Sequence, residues 1–329
     1  MGTKSVHQPE EITVAMTVCI PVLSDYWEQA LDVLKICIRS IHENTDVPFD
    51  LMIFDNASCK EVREYLVDLQ QHSLIQYLIL SDQNISKLGA WNVLLAGAPG
   101  QLIAYSDSDM LFLPRWLERS LDVLKAFPEA GMVTAQPSSE QNLEIDSATL
   151  AGIENNDTLI IEKGDLVPEN YRIAQNHGRG IECDEREKNH TDIRVIRGNV
   201  KAYVGAGHAQ FLAPKSALTS LLPLEITKTV GADSQFDLRL NAAGYWRLTT
   251  TDYLVHHMGN SVPTAADNYD GLDWLDAAQY FQEYANYLPS KRNKIRQGNS
   301  LLRYIVQRTS TQKLLRSVNR LIYNLLSRA

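Results

Sequence analysis

Asp107-Ser108-Asp109 ends an apolar run, Leu102 to Tyr105, and is followed at once by Met110 and Leu111. Two carboxylates one residue apart on an extended chain project to the same side, where they repel unless a cation or a hydrogen-bond donor lies between them. Carboxylate oxygens are hard ligands suited to Mg2+ or Mn2+, which typically complete their shells with substrate phosphates. The bland alternative is an acidic turn, with Asp109 capping the helix-like stretch Trp116 to Phe127. His256 and His257 close a strand-like run, Tyr253 to Val255. Neighbours on a strand face opposite ways, so only one of them can join a mixed nitrogen and oxygen ligand set.

Other chemically suggestive stretches are weaker. Gly205-Ala206-Gly207-His208 lacks the frame of a phosphate-binding glycine loop and reads as close backbone packing. The polar segment Gln136 to Val200 holds Asp165, Asp184, Glu185 and His190, and its composition reads as a solvated insertion rather than a second metal site.

The acids depend on the elements that carry them. Met16 to Val22 is an apolar run stopped by Pro21, and Trp27 to His42 has helical spacing with Ala30, Leu34, Cys37, Ile38 and Ile41 on one side. Phe49 to Phe54 is a second apolar run, ending at Asp55-Asn56. Helix-like Lys60 to His72, strand-like Ile75 to Leu80, helix-like Leu88 to Ala98 and strand-like Gln101 to Tyr105 follow. This alternation predicts βαβ units and a mostly parallel sheet with helices on both faces. Ligands of such sheets bind beyond the carboxyl ends of the strands, so Asp55-Asn56 and Asp107-Ser108-Asp109 are expected to converge on one ligand.

With 329 residues, 44% of them hydrophobic, the chain can bury a substantial core. Cys19, Cys37, Cys59 and Cys183 are scattered, which indicates neither a zinc site nor a disulfide framework and fits a reducing cytoplasm. No signal peptide and no membrane span are expected. The net charge of −9 hides an asymmetry, because residues 291–329 carry ten Lys and Arg and no acid. Within that region Leu301, Leu302, Ile305, Val306, Leu314, Leu315 and Val318 recur at helical spacing. A basic amphipathic helix of this kind can lie at the inner face of a membrane or pair with its own acidic domain or a second subunit. Nucleic acid is not expected as a partner, because stacking aromatics are sparse there and the main domain is acidic.

Several segments, in order, resemble the family 2 glycosyltransferases of the GT-A fold: "TVCIPV", "LMIFDNAS", "NISKLGAWNVLLAGA", the Asp-x-Asp strand, "GHAQFLAPKSAL", "VGADSQFDLRLNAAGYWRL" and "VHHMGNS". The resemblance spans roughly residues 14–261 and is weakest over 138–200. It implies a catalytic domain over 1–262, with a nucleotide-sugar half (14–135), an acceptor half (136–262) and a helical extension (263–329). Asp55 would hydrogen-bond the nucleotide base over a floor shaped by Pro21 and Val22. Asn56, Gly89, Asn92 and Ser108 match stretches that surround the donor. Asp107 would face the ribose or metal, Asp109 would be the principal metal ligand, and His257 fits the closing histidine motif better than His256.

Asp233 falls on the second acid of the family's Glu-Asp pair and would be the general base, whereas Ala232 replaces the first acid. Asp237 is a rival one turn on, less favoured because a helix start leaves Asp233 at an open end. The implied activity is inverting transfer of a sugar from a nucleotide-diphosphate-sugar, with a UDP-sugar expected, to a glycan or lipid-linked acceptor, with Mn2+ or Mg2+ as cofactor. No Gln-x-x-Arg-Trp motif of the processive synthases is present, so one sugar per encounter is expected. Two rival readings stay open: a sugar nucleotidyltransferase, which would need a basic phosphate loop where "PVLSDYWEQ" stands, and a non-catalytic sugar-nucleotide or glycan-binding subunit.

Overall fold

The computed structural model describes residues 8–137, 143–178, 191–226 and 233–262. Its first half follows the predicted alternation. Strands β1 (Ile12–Val18), β2 (Asp50–Asn56), β3 (Tyr77–Ser81) and β4 (Leu102–Asp107) are joined by helices α1 (Ala30–Asn44), α2 (Lys60–Gln71) and α3 (Ser86–Gly97). They pair in parallel in the order β3-β2-β1-β4. Because helices cover both faces, β1 and β2 are buried at nearly every position, which is why they read as continuous apolar runs. Helix α1 packs Val33, Leu34, Cys37 and Ile41 on one side of the sheet, and α3 packs Leu88, Trp91, Leu94 and Leu95 on the other. The helix expected from Trp27 begins only at Ala30, after a one-turn 3-10 helix over Asp25–Trp27.

After Asp107 the chain turns and enters β5 (Met110–Phe112), then α4 (Trp116–Ala126) and β6 (Ala130–Thr134). There follow α5 (Leu143–Glu154), β7 (Ile160–Gly164), α6 (Glu169–Gly178), β8 (Asp192–Arg197), β9 (Val200–Val204) and β10 (Gln210–Pro214). Helices α7 (Lys215–Leu221) and α8 (Ser234–Ala242) and strands β11 (Trp246–Thr250) and β12 (Val255–His257) complete the described chain. One ten-stranded sheet has the order β3-β2-β1-β4-β10-β6-β11-β9-β8-β7. Strands β10, β9 and β7 run against the rest, so the sheet is largely parallel with a mixed second half. β5 and β12 form a separate two-stranded ribbon.

The described parts of Gln136 to Val200 are not a solvated insertion. They supply α5, α6 and two further strands that extend the sheet, with Asp165 in an ion pair to Arg172 at 2.5 Å. Helix α5 lies close against β11 because position 152 is glycine: a Cβ there would meet Trp246 Nε1 at 2.4 Å. Cys183, Asp184, Glu185, His190, Ala232 and the basic stretch 291–329 lie outside the described residues. Among the described residues, no helix is long and apolar enough to cross a membrane.

Candidate active site

A cleft of about 920 Å3 opens beyond the carboxyl ends of β1, β2 and β4. Thr17, Cys19 and Ile20 line it from β1 and its loop, Asn56 from β2, and Asp107, Ser108 and Asp109 from the β4–β5 turn. Asn84, Ile85, Ser86 and Lys87 approach from the start of α3, and Tyr26, Trp27, Ile226 and Asn260 complete the wall. The parallel crossovers explain this convergence, since each delivers its loop to the same end of the sheet.

The two acids of the motif meet in this cleft by a route other than strand alternation. Asp107 ends β4, whereas Ser108 and Asp109 form a turn, so the carboxylates are held apart by different partners. Asp107 Oδ2 accepts a hydrogen bond from Lys87 Nζ at 2.7 Å, and Oδ1 accepts one from the Tyr105 hydroxyl at 2.5 Å. Burial, followed by the adjacent Asp107 charge, raises the Tyr105 hydroxyl's pKa, so this phenol stays a donor. Asp109 Oδ2 lies 3.0 Å from His257 Nε2. The ribbon sets that contact: His257 is in register with Met110, and Met258 N donates to the Asp109 carbonyl at 2.8 Å. His256 faces the other way and is buried, its Nδ1 2.9 Å from the Tyr253 hydroxyl. The histidine brought to Asp109 is thus His257.

The donor-side residues divide into those on the cleft wall and those beneath it. Asn56 lines the cleft, but its amide is used locally: Nδ2 donates to Asn84 Oδ1 and to the Ser86 carbonyl, and Oδ1 accepts from Ile85 N at 2.9 Å. It therefore shapes the turn that presents Lys87, in which Ser86 sits at φ +67. Asp55 is fully buried behind it, accepting from Arg63 Nε at 2.9 Å and Ser58 N at 3.3 Å. Ser58 Oγ in turn accepts from Ile20 N at 3.0 Å, so Asp55 braces the loop after β1. Pro21 and Val22 are exposed beyond that loop, and Cys19 and Ile20 form the wall instead. Asn92 exchanges two hydrogen bonds with the backbone of Leu224, at 2.7 and 2.8 Å, clamping the chain that leads to Ile226. Gly89 is buried against Ile85, with room for a Cβ only at 3.1 Å.

Asp233 stands at the N-terminus of α8, 25% exposed, with its Oδ2 2.8 Å from His208 Nε2. Asp237, buried one turn further on, lies 3.2 Å from the other ring nitrogen of the same histidine. Sequence spacing gave no hint of this, because His208 lies 29 residues from Asp237 in the loop before β10. Behind Asp237 stands Arg247 at 3.4 Å, itself buried and paired to Asp146 of α5 at 2.6 Å. Burial pushes the His208 pKa down, but its hydrogen bonds to Asp233 and Asp237 outweigh that and hold it up at about 9. The hydrogen bond from His208 conversely holds Asp233 down at about 2, with the charges of His208 and Lys87 adding to it.

A raised histidine stabilises the fold fully below its unfolded value near 6.5, and the contribution is lost as pH rises through about 9. With His208 33% exposed, solvent screening leaves roughly 1–2 kcal/mol. The melting temperature is expected to fall between pH 6.5 and 9.5, and His208→Gln should flatten that slope in thermal melts across the range.

Mn2+ and Mg2+ are implied by the motif, and the donor set is their test. Asp109 Oδ1 is buried without a hydrogen-bond partner among the described residues, an uncompensated oxygen of the kind that a cation satisfies. Asp109 and His257 supply one carboxylate and one imidazole, while Asp107 is already engaged by Lys87 and Tyr105. No group of three or more His, Cys, Asp or Glu side chains able to hold a metal occurs among the described residues. The pair fits an ion of the Mg2+ type that keeps much of its shell for substrate phosphates and water.

Comparison with known proteins agrees with the sequence pattern. Residues 17–190, more than half of the chain, match the family model described as "Glycosyl transferase family 2". An uncharacterized glycosyltransferase, alr2836, from Nostoc sp. (strain PCC 7120) is 25% identical over 100 residues, which span 30% of this chain and 31% of that protein. Among solved structures, the mannosyltransferase PcManGT from Pyrobaculum calidifontis, in complex with GDP-Man and Mn2+, aligns with a TM-score of 0.45 at 15% identity. That alignment covers 75% of this chain and 58% of the mannosyltransferase.

Proposed function

The chain belongs to glycosyl transferase family 2, and from that premise we propose that it moves a sugar from a nucleotide-diphosphate-sugar, a UDP-sugar in the first instance, to a hydroxyl of a glycan or lipid-linked acceptor, with inversion. The observation that supports this most is the cleft at the carboxyl ends of β1, β2 and β4, whose wall presents Asp107, Asp109 and Lys87 together. In this reading Asp55 and Asn56 act on the nucleoside end indirectly, by bracing the loop after β1 and the turn before α3. Cys19 and Ile20 take the place expected of Pro21 and Val22 on the wall, and Asp107 and Ser108 stand toward the ribose and diphosphate. Gly89 and Asn92 act by shaping and anchoring the α3 wall. Asp109 and His257 would hold Mn2+ or Mg2+, which when bound offsets the negative charge that builds on the departing diphosphate. Lys87 adds a fixed cation at the same wall, able to exchange its contact with Asp107 for a phosphate oxygen.

Asp233 is the proton acceptor. As the acceptor oxygen bonds to the anomeric carbon, the bond to the donor phosphate breaks with its electron pair, and the hydroxyl proton passes to the carboxylate. A carboxylate held at about 2 is a weak base, so transfer comes late, once bond formation has made the hydroxyl strongly acidic. Attack from the face opposite the leaving group, with one base, gives inversion.

The test is a thermal-shift panel of UDP, GDP and their hexose conjugates, with Mn2+ and with EDTA. A nucleotide sugar at a hundred times its Kd should add about 2.7 kcal/mol of stability, and EDTA should remove most of the shift. A melting temperature that no nucleotide moves, with or without metal, would exclude the reading.

A further inference from the structure

We propose that His208 is a positioning residue for the transfer step, fixing Asp233 as the outer member of a carboxylate–imidazole–carboxylate chain that is anchored in the core. The inference rests on reading Asp233 as the base. The Asp233 carboxylate stands at the N-cap of α8 but makes no side-chain capping bond to the helix. Among the described residues, the contact that fixes it is the 2.8 Å one to His208 Nε2.

His208 is held in turn from its other side. Its Nδ1 lies 3.2 Å from Asp237 Oδ2, and the Trp91 ring stands roughly perpendicular to it with centroids 6.4 Å apart. Asp237 is 4% exposed and meets Arg247, which ion-pairs with Asp146 and donates to the Ala206 carbonyl, two residues before His208. The chain therefore closes on the loop that carries the histidine, and the inner side of the imidazole is anchored by groups packed in the core. With a carboxylate at each nitrogen, only the doubly protonated ring can donate at both.

The charged groups that face His208 are Asp233 and Asp237 from α8 and Lys87 from α3. Loss of the ring proton leaves one N–H for two carboxylates, and the carboxylate that loses its donor meets a nitrogen lone pair. Because the buried Asp237 is held by Arg247 while Asp233 is at the open end, Asp233 is the one released. Turnover should thus fall as pH rises through the histidine's titration near 9, a limb that a merely structural ion pair far from the chemistry would not impose.

The experiment uses the full chain and the member of a panel of UDP- and GDP-hexoses that it hydrolyses fastest with Mn2+, followed from pH 6 to 10. His208→Gln should lower kcat roughly a hundredfold, leave the KM for the donor within about twofold, and abolish the alkaline limb. Asp233→Asn separates the two ideas. If it is inactive while His208→Gln keeps both kcat and the limb, the positioning role is wrong and the base assignment stands. If Asp233→Asn turns over normally, or no sugar nucleotide is hydrolysed by the parent chain, the base reading falls and this inference with it. A folding failure of the Gln variant is covered by histidine-selective NMR on the parent chain: a His208 ring that titrates near 6.5, or that is unmoved by Asp233→Asn, also overturns the proposal.

Discussion

Asp233→Asn is expected to cut turnover by roughly 10²- to 10⁴-fold, the range of a positioned general base, while nucleotide affinity stays within a few-fold of the parent. The amide is nearly isosteric and still meets His208, so the packing of α8 should survive. What it lacks is a lone pair basic enough to take a proton. Asp237→Asn offers the contrast. Asp237 is buried and faces Arg247 and His208, so its loss should show first as a lower melting temperature. Steady-state hydrolysis and thermal melts on the two variants check the assignment: if Asp237→Asn lost turnover at unchanged stability while Asp233→Asn kept it, the roles would be reversed.

The sequence made half of this arrangement legible. Strands buried on both faces announce themselves as apolar runs, so the acids at their ends, Asp55, Asp107 and Asp109, were located by reading where each run stopped. The period of two made it legible that only one of His256 and His257 could turn toward the acids, whereas the choice of His257 came from the resemblance to the family's closing motif. Contacts between distant segments left no periodic trace. Arg247 and Asp146 lie 101 residues apart, and neither is marked by its neighbours as a buried ion pair. His208 was visible as a titratable residue in a glycine-flanked loop, but only the antiparallel insertion of β10 beside β4 brings that loop to the site. The expectation that Asp107 and Asp109 share one side failed for a local reason: alternation requires a continuing strand, and the chain turns at Ser108.

Burying charge is costly unless each group is paired, and the Asp146–Arg247–Asp237–His208–Asp233 series alternates sign at every step. Asp146, Arg247 and Asp237 are nearly inaccessible, whereas His208 and Asp233 at the outer end are a third and a quarter exposed. The series ties α5, in the stretch whose composition suggested a solvated insertion, to the residue proposed to meet the acceptor. Asp146→Asn in α5 is therefore expected to weaken the fixing of Asp233 and lower turnover, an effect that substitutions on the exposed face of α2 should not have, and steady-state hydrolysis on such variants checks it.

Asp109→Ala tests the proposed metal pair, and its signature is a dissociation of stability from ligand response. In the absence of metal, Asp109 Oδ1 is a buried acceptor without a hydrogen-bond partner among the described residues, a situation that costs about 1–3 kcal/mol where burial is complete. Removing the carboxylate relieves that cost but leaves a small void and frees His257, so the melting temperature of the ligand-free chain should change little. The response to Mn2+ with a nucleoside diphosphate should disappear, because a single imidazole remains where a carboxylate and an imidazole stood. Turnover should fall at least a hundredfold, since the charge on the departing diphosphate then lacks its main compensation. Calorimetric titration of Mn2+ in the presence of UDP, run beside thermal melts without ligand, measures both quantities on one preparation. A variant that still bound Mn2+ and UDP like the parent would place the cation away from Asp109, whereas one that collapsed without ligand would make Asp109 a structural acid held by His257 and the β5–β12 ribbon.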